Sequence, residues 1–173
     1  MGEVKQLVRL GGEALLERAV RVAREAGCSP VVVVVGAHHV QVLASNVLGD
    51  AVPVINDEWE EGMASSIRLG VRALELAARD AEGVLLMTCD QPAVTVKHLG
   101  RLMARAEVKA SRYAGKNGVP AFFPARYFEK LTELKGDTGA RELLAEALYE
   151  ELENGELDVD TAADLARARA LFG

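Results

Sequence analysis

Side chains able to do chemistry fall in a few stretches of this 173-residue chain. The apolar run Val84-Leu85-Leu86-Met87 stops at Thr88-Cys89-Asp90-Gln91-Pro92. An acid at the tip of a buried strand can hold Mg²⁺, because that ion prefers one or two carboxylates plus substrate phosphates. The alternative is that Asp90 is a turn or cap acid ahead of the next helix. Pro92 fits both readings, since it fixes the turn that leaves the strand. In "LDVDTAADL" (157–165), Asp158 and Asp160 lie two apart, so an extended segment points both to one side. Alone, the stretch reads as a loop entering a helix capped by Thr161. Paired in space with Asp90, one of these acids would complete a metal site.

"NDEWEEGMASSIRLG" (56–70) places Ser65 and Ser66 at a helix start, where hydroxyls and free backbone N–H groups suit a polar or anionic ligand. Plain capping by either serine, with Trp59 as a core aromatic, is the alternative. "KGDTGARELL" (135–144) puts Asp137 and Thr138 before a helix and Arg141 in its first turn. Arginine there opposes the macrodipole, which hints at a nearby anion; capping is again the alternative. "YAGKNGVPAFF" (113–123) reads as a glycine-flanked turn before a strand, a loop able to cover a ligand. His38, His39 and His98 show no ligand spacing and are read as surface residues.

Strands and helices alternate along the chain. Helical periodicity spans 12–26, 38–47, 63–79 (Ile67, Val71, Leu74 and Ala78 inward), 94–106, 124–134 and 139–149. Thr161 and Asp164 form a capping box for a last helix ending near Phe172. "PVVVVVG" (30–36) and "GVLLM" (83–87) are continuous apolar runs of the kind buried on both faces of a sheet. "VPVI" (52–55) and "VPAFF" (119–123) add shorter strands. The pattern predicts one α/β domain over 1–173, Rossmann-like and three-layered, with a mostly parallel sheet. Ligands of such sheets bind outside the carboxyl ends of the strands, where Asp90 sits.

Half the residues are apolar and the net charge is −6. That excludes a broad nucleic-acid surface while permitting a local basic pocket for phosphate. No apolar run is long enough to span a bilayer. Cys28 and Cys89 lack metal or redox spacing and suit a reducing cytoplasm. The expectation is a cytoplasmic protein with neither nucleic-acid nor membrane partners; a homo-oligomer is compatible with it.

The ordered series "KQLVRLGG", "VVVVVG", "NDEWEEGMASSIRLG", "LLMTCDQP", "YAGKNGVPAFF", "KGDTGARELL" and "DVDTAADL" resembles the molybdenum cofactor cytidylyltransferases, within the wider MobA-like nucleotidyltransferases. The resemblance runs from Met1 to about Leu165. It implies that Asp90 binds Mg²⁺, with Asp160 and then Asp158 as partners. It implies that Gly2 and Lys5 contact the nucleotide phosphates, that Ser65 and Ser66 line the nucleotide pocket, and that Asp137 and Arg141 lie on the acceptor side. Lys5, Asp90 and Asp160 would then be the catalytic set. The implied reaction joins CTP to the phosphate of molybdopterin with release of pyrophosphate. The alternatives are a related transferase using GTP or another phosphorylated acceptor, and a non-catalytic or truncated relative that binds a cofactor or partner.

The resemblance also carries a departure. The family begins with a strand and a glycine-rich loop of the form "LAAGxSxRMGxxKQLL", whereas this chain starts at "MGEVKQLV". In the family that strand lies between those matching 30–35 and 83–87. Its absence predicts that these two strands stand apart or pair abnormally, and that the chain as given turns over poorly.

Overall fold

The computed structural model describes residues 4–137 and 139–173. Gly2 and Thr138 lie outside the described residues. A small hairpin, β1 (Arg9–Leu10) and β2 (Glu13–Ala14), turns at Gly11-Gly12 and leads into α1 (Leu15–Glu25). Strand β3 (Val32–Val35) follows, then the short α2 (His39–Ala44), β4 (Val52–Ile55), α3 (Met63–Ala77), β5 (Gly83–Leu86) and α4 (Val96–Leu102). The chain then forms β6 (Lys109–Tyr113), β7 (Lys116–Pro124), α5 (Phe128–Thr132), α6 (Arg141–Leu144), β8 (Leu148–Glu151) and α7 (Ala162–Phe172).

The α/β reading holds, with mixed pairing. β3 and β4 pair in parallel, as do β6 and β8, while β7 runs antiparallel to both β5 and β6. The antiparallel share comes from "YAGKNG": rather than a covering loop, it is a tight hairpin turn at Ala114-Gly115. Likewise the helix expected over 139–149 is one turn followed by β8. The apolar pattern that suggested a helix there is shared between α6, where Leu144 is buried, and the half-exposed edge strand.

Helices cover both faces. Successive residues of one strand point to opposite sides, and Phe122 and Phe123 show it. Phe123 packs with Val71 and Leu74 of α3 and Leu131 of α5, whereas Phe122 packs with Val22 of α1 and Leu99 and Leu102 of α4. Phe123 is fully buried, a placement worth about 1.5–3 kcal/mol over exposure.

β3 and β5 stand apart, as expected. β3 belongs to a two-stranded sheet with β4, and β5 to a four-stranded sheet of order β5-β7-β6-β8. The two helix layers bridge them. In α1, Val20 packs with Val33 and Val35 while Val22 packs toward Leu85 and Met87. In α3, Val71 and Leu74 share a cluster with Val32, Val84 and Leu86. The expectation of full burial for β5 fails for the same reason: every residue of β5 is only partly buried, because β7 covers one edge alone. Among the described residues no helix is long and apolar enough to cross a membrane.

Candidate functional site

β5 ends at Leu86, and the chain runs on through Met87, Thr88 and Cys89 to Asp90. Cys89 packs on the cluster that contains Val33 and Val35, so the segment leaving β5 shares a core with β3. Burial, then the Asp90 charge, pushes the Cys89 thiol up to about 12; it stays protonated at neutral pH and acts as a small apolar side chain.

Three of the residues expected to act together meet here. Lys5 opens a 3-10 turn (Lys5–Leu7) before the first hairpin. Its Nζ pairs with Asp90 Oδ2 at 2.6 Å and with Asp160 Oδ1. Two carboxylate oxygens bonded to one ammonium lie within about 6 Å of each other, twice a hydrogen-bond length. Burial acts against the Lys5 charge, but hydrogen bonds to Asp160 and Asp90 outweigh it and raise its pKa. Asp158 joins through the chain. Leu157 and Val159 are buried while Asp158 and Asp160 face solvent, the alternation of an extended segment. Although Asp158 is exposed as a residue, burial around its carboxyl and the nearby Asp90 charge push its pKa up. Asp160 leads directly into α7, whose start is the expected capping box: Thr161 Oγ1 accepts from the Asp164 N–H at 3.2 Å, and Asp164 Oδ2 accepts from the Thr161 N–H at 2.8 Å.

The donor set suits a divalent cation. Asp90 Oδ1 is buried without a hydrogen-bond partner, while Oδ2 holds Lys5. Asp160 is 63% exposed at its side chain and so open to a ligand. Among the described residues no group of three or more His, Cys, Asp or Glu side chains encloses a metal position. Two carboxylates and open solvent is the arrangement that leaves coordination sites for substrate phosphates.

A second polar cluster forms at the end of β4. Asn56 directly follows Ile55 and is 3% exposed. Its Nδ2 donates to Ser65 Oγ at 2.9 Å and Ser66 Oγ at 3.0 Å, and its Oδ1 accepts from the Glu58 N–H at 3.0 Å. Neither serine caps α3, whose cap is Gly62 with no side-chain bond. Ser65 gives its own proton to the Gly62 carbonyl at 2.9 Å, so its hydroxyl is engaged by the fold. Ser66 accepts from Asn56 and is half-buried. Gly62 has φ +114°, and a Cβ there would meet the Asp137 Cα at 2.8 Å; the absent side chain lets the two segments touch. The Ala64 N–H donates to the Gly136 carbonyl at 3.1 Å. Arg68, one turn further along α3, binds Glu61 at 2.5 Å and the Leu134 carbonyl at 2.8 Å. Asp137 is thereby carried to the start of α3. Arg141 is exposed on α6, and its charge reaches the Tyr113 phenol, as do those of Asp158 and Asp90. A four-residue helix has little dipole for Arg141 to oppose.

Sequence reasoning passed over Asn56, although the signal that singled out Asp90, a polar residue straight after an apolar strand, applies to it equally. It also passed over Gln91 and Tyr113, which lie beside Asp90 and at the end of β6. Trp59 is 45% exposed, not a core aromatic, with its Cβ against Gly36. His98, expected at the surface, is 5% exposed. It hydrogen-bonds through Nε2 to Ser111 Oγ at 2.7 Å, and Ser111 donates to the Pro120 carbonyl at 2.6 Å.

The chain is similar to known proteins along nearly all of its length. It is 30% identical to the purine catabolism protein PucB of Bacillus subtilis over 98% of this chain and 89% of that protein. A probable molybdenum cofactor guanylyltransferase of Opitutus terrae is 34% identical over a shorter stretch, 59% of this chain and 47% of that protein. Among solved structures, a manganese complex of Rv0371c from Mycobacterium tuberculosis is 30% identical at a TM-score of 0.79, covering 98% of this chain and 93% of that one. Residues 1–153 match the MobA-like NTP transferase domain, and with the fold and the acidic strand tip already described, the chain belongs to that family of nucleotidyltransferases.

Proposed function

We propose that this nucleotidyltransferase moves CMP from CTP to the phosphate of a molybdopterin-type acceptor, releasing pyrophosphate. The observation that carries the reading is the convergence of Lys5, Asp90 and Asp160 beyond the end of β5. The choice of CTP and of molybdopterin rests on the ordered motifs, and the acceptor is supported by the molybdenum cofactor guanylyltransferase among the relatives. The divalent-ion requirement is supported by the manganese complex of the Mycobacterium tuberculosis protein.

In this reading an oxygen of the acceptor phosphate attacks the α-phosphorus of the nucleotide, and the bond from that phosphorus to the bridging oxygen of pyrophosphate breaks. Asp90 and Asp160, with Asp158 nearby, would hold a divalent ion, which would supply charge neutralisation on the triphosphate. Lys5 is held charged between the acids, ready to exchange a carboxylate for a phosphate oxygen as negative charge develops on the leaving group. Ser66, fixed by Asn56, offers its hydroxyl to the nucleotide. Asp137 and Arg141 bind and orient the acceptor. No side-chain nucleophile is required, since the acceptor supplies the attacking oxygen.

The test is pyrophosphate release with each of the four ribonucleoside triphosphates, Mg²⁺ or Mn²⁺, and molybdopterin. The readout is the ratio between nucleotides. CTP is expected to exceed the others by at least about tenfold, or about 1.4 kcal/mol. A preference for GTP would overturn the base assignment and keep the transfer reaction. Release that ignores molybdopterin would overturn the acceptor.

A further inference from the structure

We propose that Gln91 is a positioning residue that clamps the segment carrying Asp158 and Asp160 to the tip of β5, and so sets the spacing of the acids. The proposal rests on the reading of those acids as the cation site.

Between β8 and α7 the chain has no regular structure over residues 152–161. Besides Lys5, which bridges Asp90 and Asp160, a pair of hydrogen bonds holds it against the tip of β5. The Val159 N–H donates to the Asp90 carbonyl at 3.0 Å. Gln91 Nε2 donates to the Gly155 carbonyl at 3.1 Å and to the Tyr113 hydroxyl at 3.1 Å. Gln91 is 6% exposed, so these bonds compete little with water.

The chemistry of the partners fixes which way the amide faces. The Gly155 carbonyl can only accept. The Tyr113 hydroxyl gives its proton to the Val119 carbonyl at 3.1 Å and therefore accepts from Gln91. Both N–H groups of Gln91 are thereby used, and a flipped amide would set Oε1 against a carbonyl oxygen. Oε1 is left buried with no partner. A buried polar group that forgoes a partner on one side calls for a reason, and the bond to Gly155 supplies one. Gly155 itself is shaped for the approach: a Cβ there would meet Leu152 and the Tyr113 ring at 2.8 Å.

The register matters because the segment is extended. Leu157 and Val159 fill the core at 2% and 0% exposure, and the acids take the alternate positions. Sliding by one residue would turn both acids inward and two apolar side chains outward. Gln91 pins Gly155, the Asp90 carbonyl pins Val159, and the acids are fixed between and just beyond these points.

The experiment uses the whole chain as wild type, Gln91→Ala, Gln91→Glu and Tyr113→Phe. Gln91→Glu keeps the shape but sets a carboxylate oxygen against the Gly155 carbonyl. Amide hydrogen exchange is followed residue by residue, and Mn²⁺ binding is titrated by electron paramagnetic resonance. Both Gln91 variants are expected to exchange at least about tenfold faster across 155–160, with α3 and β7 unchanged. They should bind Mn²⁺ about tenfold to a hundredfold more weakly, the range for losing a group that orients a ligand. Tyr113→Phe, which removes one of the two acceptors, should move both readouts in the same direction by less. Wild-type exchange over 155–160 in a folded Gln91→Ala protein would overturn the clamp. So would faster exchange spread evenly over β6, β7 and the segment, which would mark general destabilisation. If Gln91 variants do not fold, Tyr113→Phe decides by the same two readouts. Wild type that binds no Mn²⁺ would overturn the cation site, while the exchange measurement still decides the clamp.

Discussion

The tip of β5 and the start of α3 are both polar sites at strand ends, and they are built in opposite ways. Beyond β5, charges meet: Lys5 sits between Asp90 and Asp160, Asp158 is close by, and Asp90 keeps a buried oxygen with no partner. Around Asn56 the groups that meet are neutral, and this one buried amide holds two hydroxyls and a backbone N–H at once. A site with charges in hand and an oxygen to spare suits a ligand that brings charge of its own. A site whose bonds are closed within the fold suits recognition of shape, because its groups do not rearrange when the ligand enters.

The largest effect should come from breaking the charged side of that comparison. Asp90→Asn keeps the size and removes the charge, and pyrophosphate release should fall about a hundredfold to a thousandfold, the scale of losing one electrostatic element of a transfer site. Far-ultraviolet circular dichroism should be unchanged. Equal turnover would show that the acid serves only the turn.

Asn56→Ala breaks the neutral side. It strips Ser65 and Ser66 of their donor and leaves the Glu58 N–H without its acceptor. The nucleotide KM should rise about tenfold, equivalent to about 1.4 kcal/mol, with kcat within about threefold. A fall in kcat at constant KM would place Asn56 with the reacting groups.

Thr161→Ala sharpens the comparison by loosening the far end of the acid segment without touching its clamp. Loss of this cap should cost about 1 kcal/mol and lower Tm by about 2–4 °C for a chain of this size. Mn²⁺ affinity should change less than about threefold. A larger loss would show that α7, as well as the β5 tip, sets the acids.

The smallest effect is a pH dependence away from both sites. Burial holds the His98 pKa below its ordinary value of 6.5; Glu150 opposes that shift, and Arg101 and Lys109 add to it. The unfolded chain therefore takes up this proton at higher pH than the folded one, so stability is full above about pH 6.5 and is lost as pH falls below it. Tm between pH 7 and pH 5 should fall less steeply in His98→Gln than in wild type. Equal slopes would show that His98 charges freely within the fold.

Much of the positioning was legible in the sequence because it depends on local signals. The apolar runs at 30–36 and 83–87 marked β3 and β5, and Thr161 with Asp164 announced α7. The expectation that β3 and β5 stand apart came from the resemblance and matches the two separate sheets. Other features depended on partners distant in sequence. β6 carries Lys109 and Arg112 among its residues and reads as polar loop until β7 and β8 pair with it. His98 looked like a surface residue because its partner, Ser111, lies on that unrecognised strand. Gln91 was invisible as a clamp because Gly155, which it holds, is 64 positions away and has no side chain to draw attention.

The most direct test is Mn²⁺ binding to wild type, Asp90→Asn and Asp160→Asn, read by electron paramagnetic resonance. Wild type should show one site. Each variant should weaken it by more than the about tenfold to hundredfold loss expected of groups that only orient a ligand. Undiminished binding in both variants would contradict the assignment of the cation to the tip of β5.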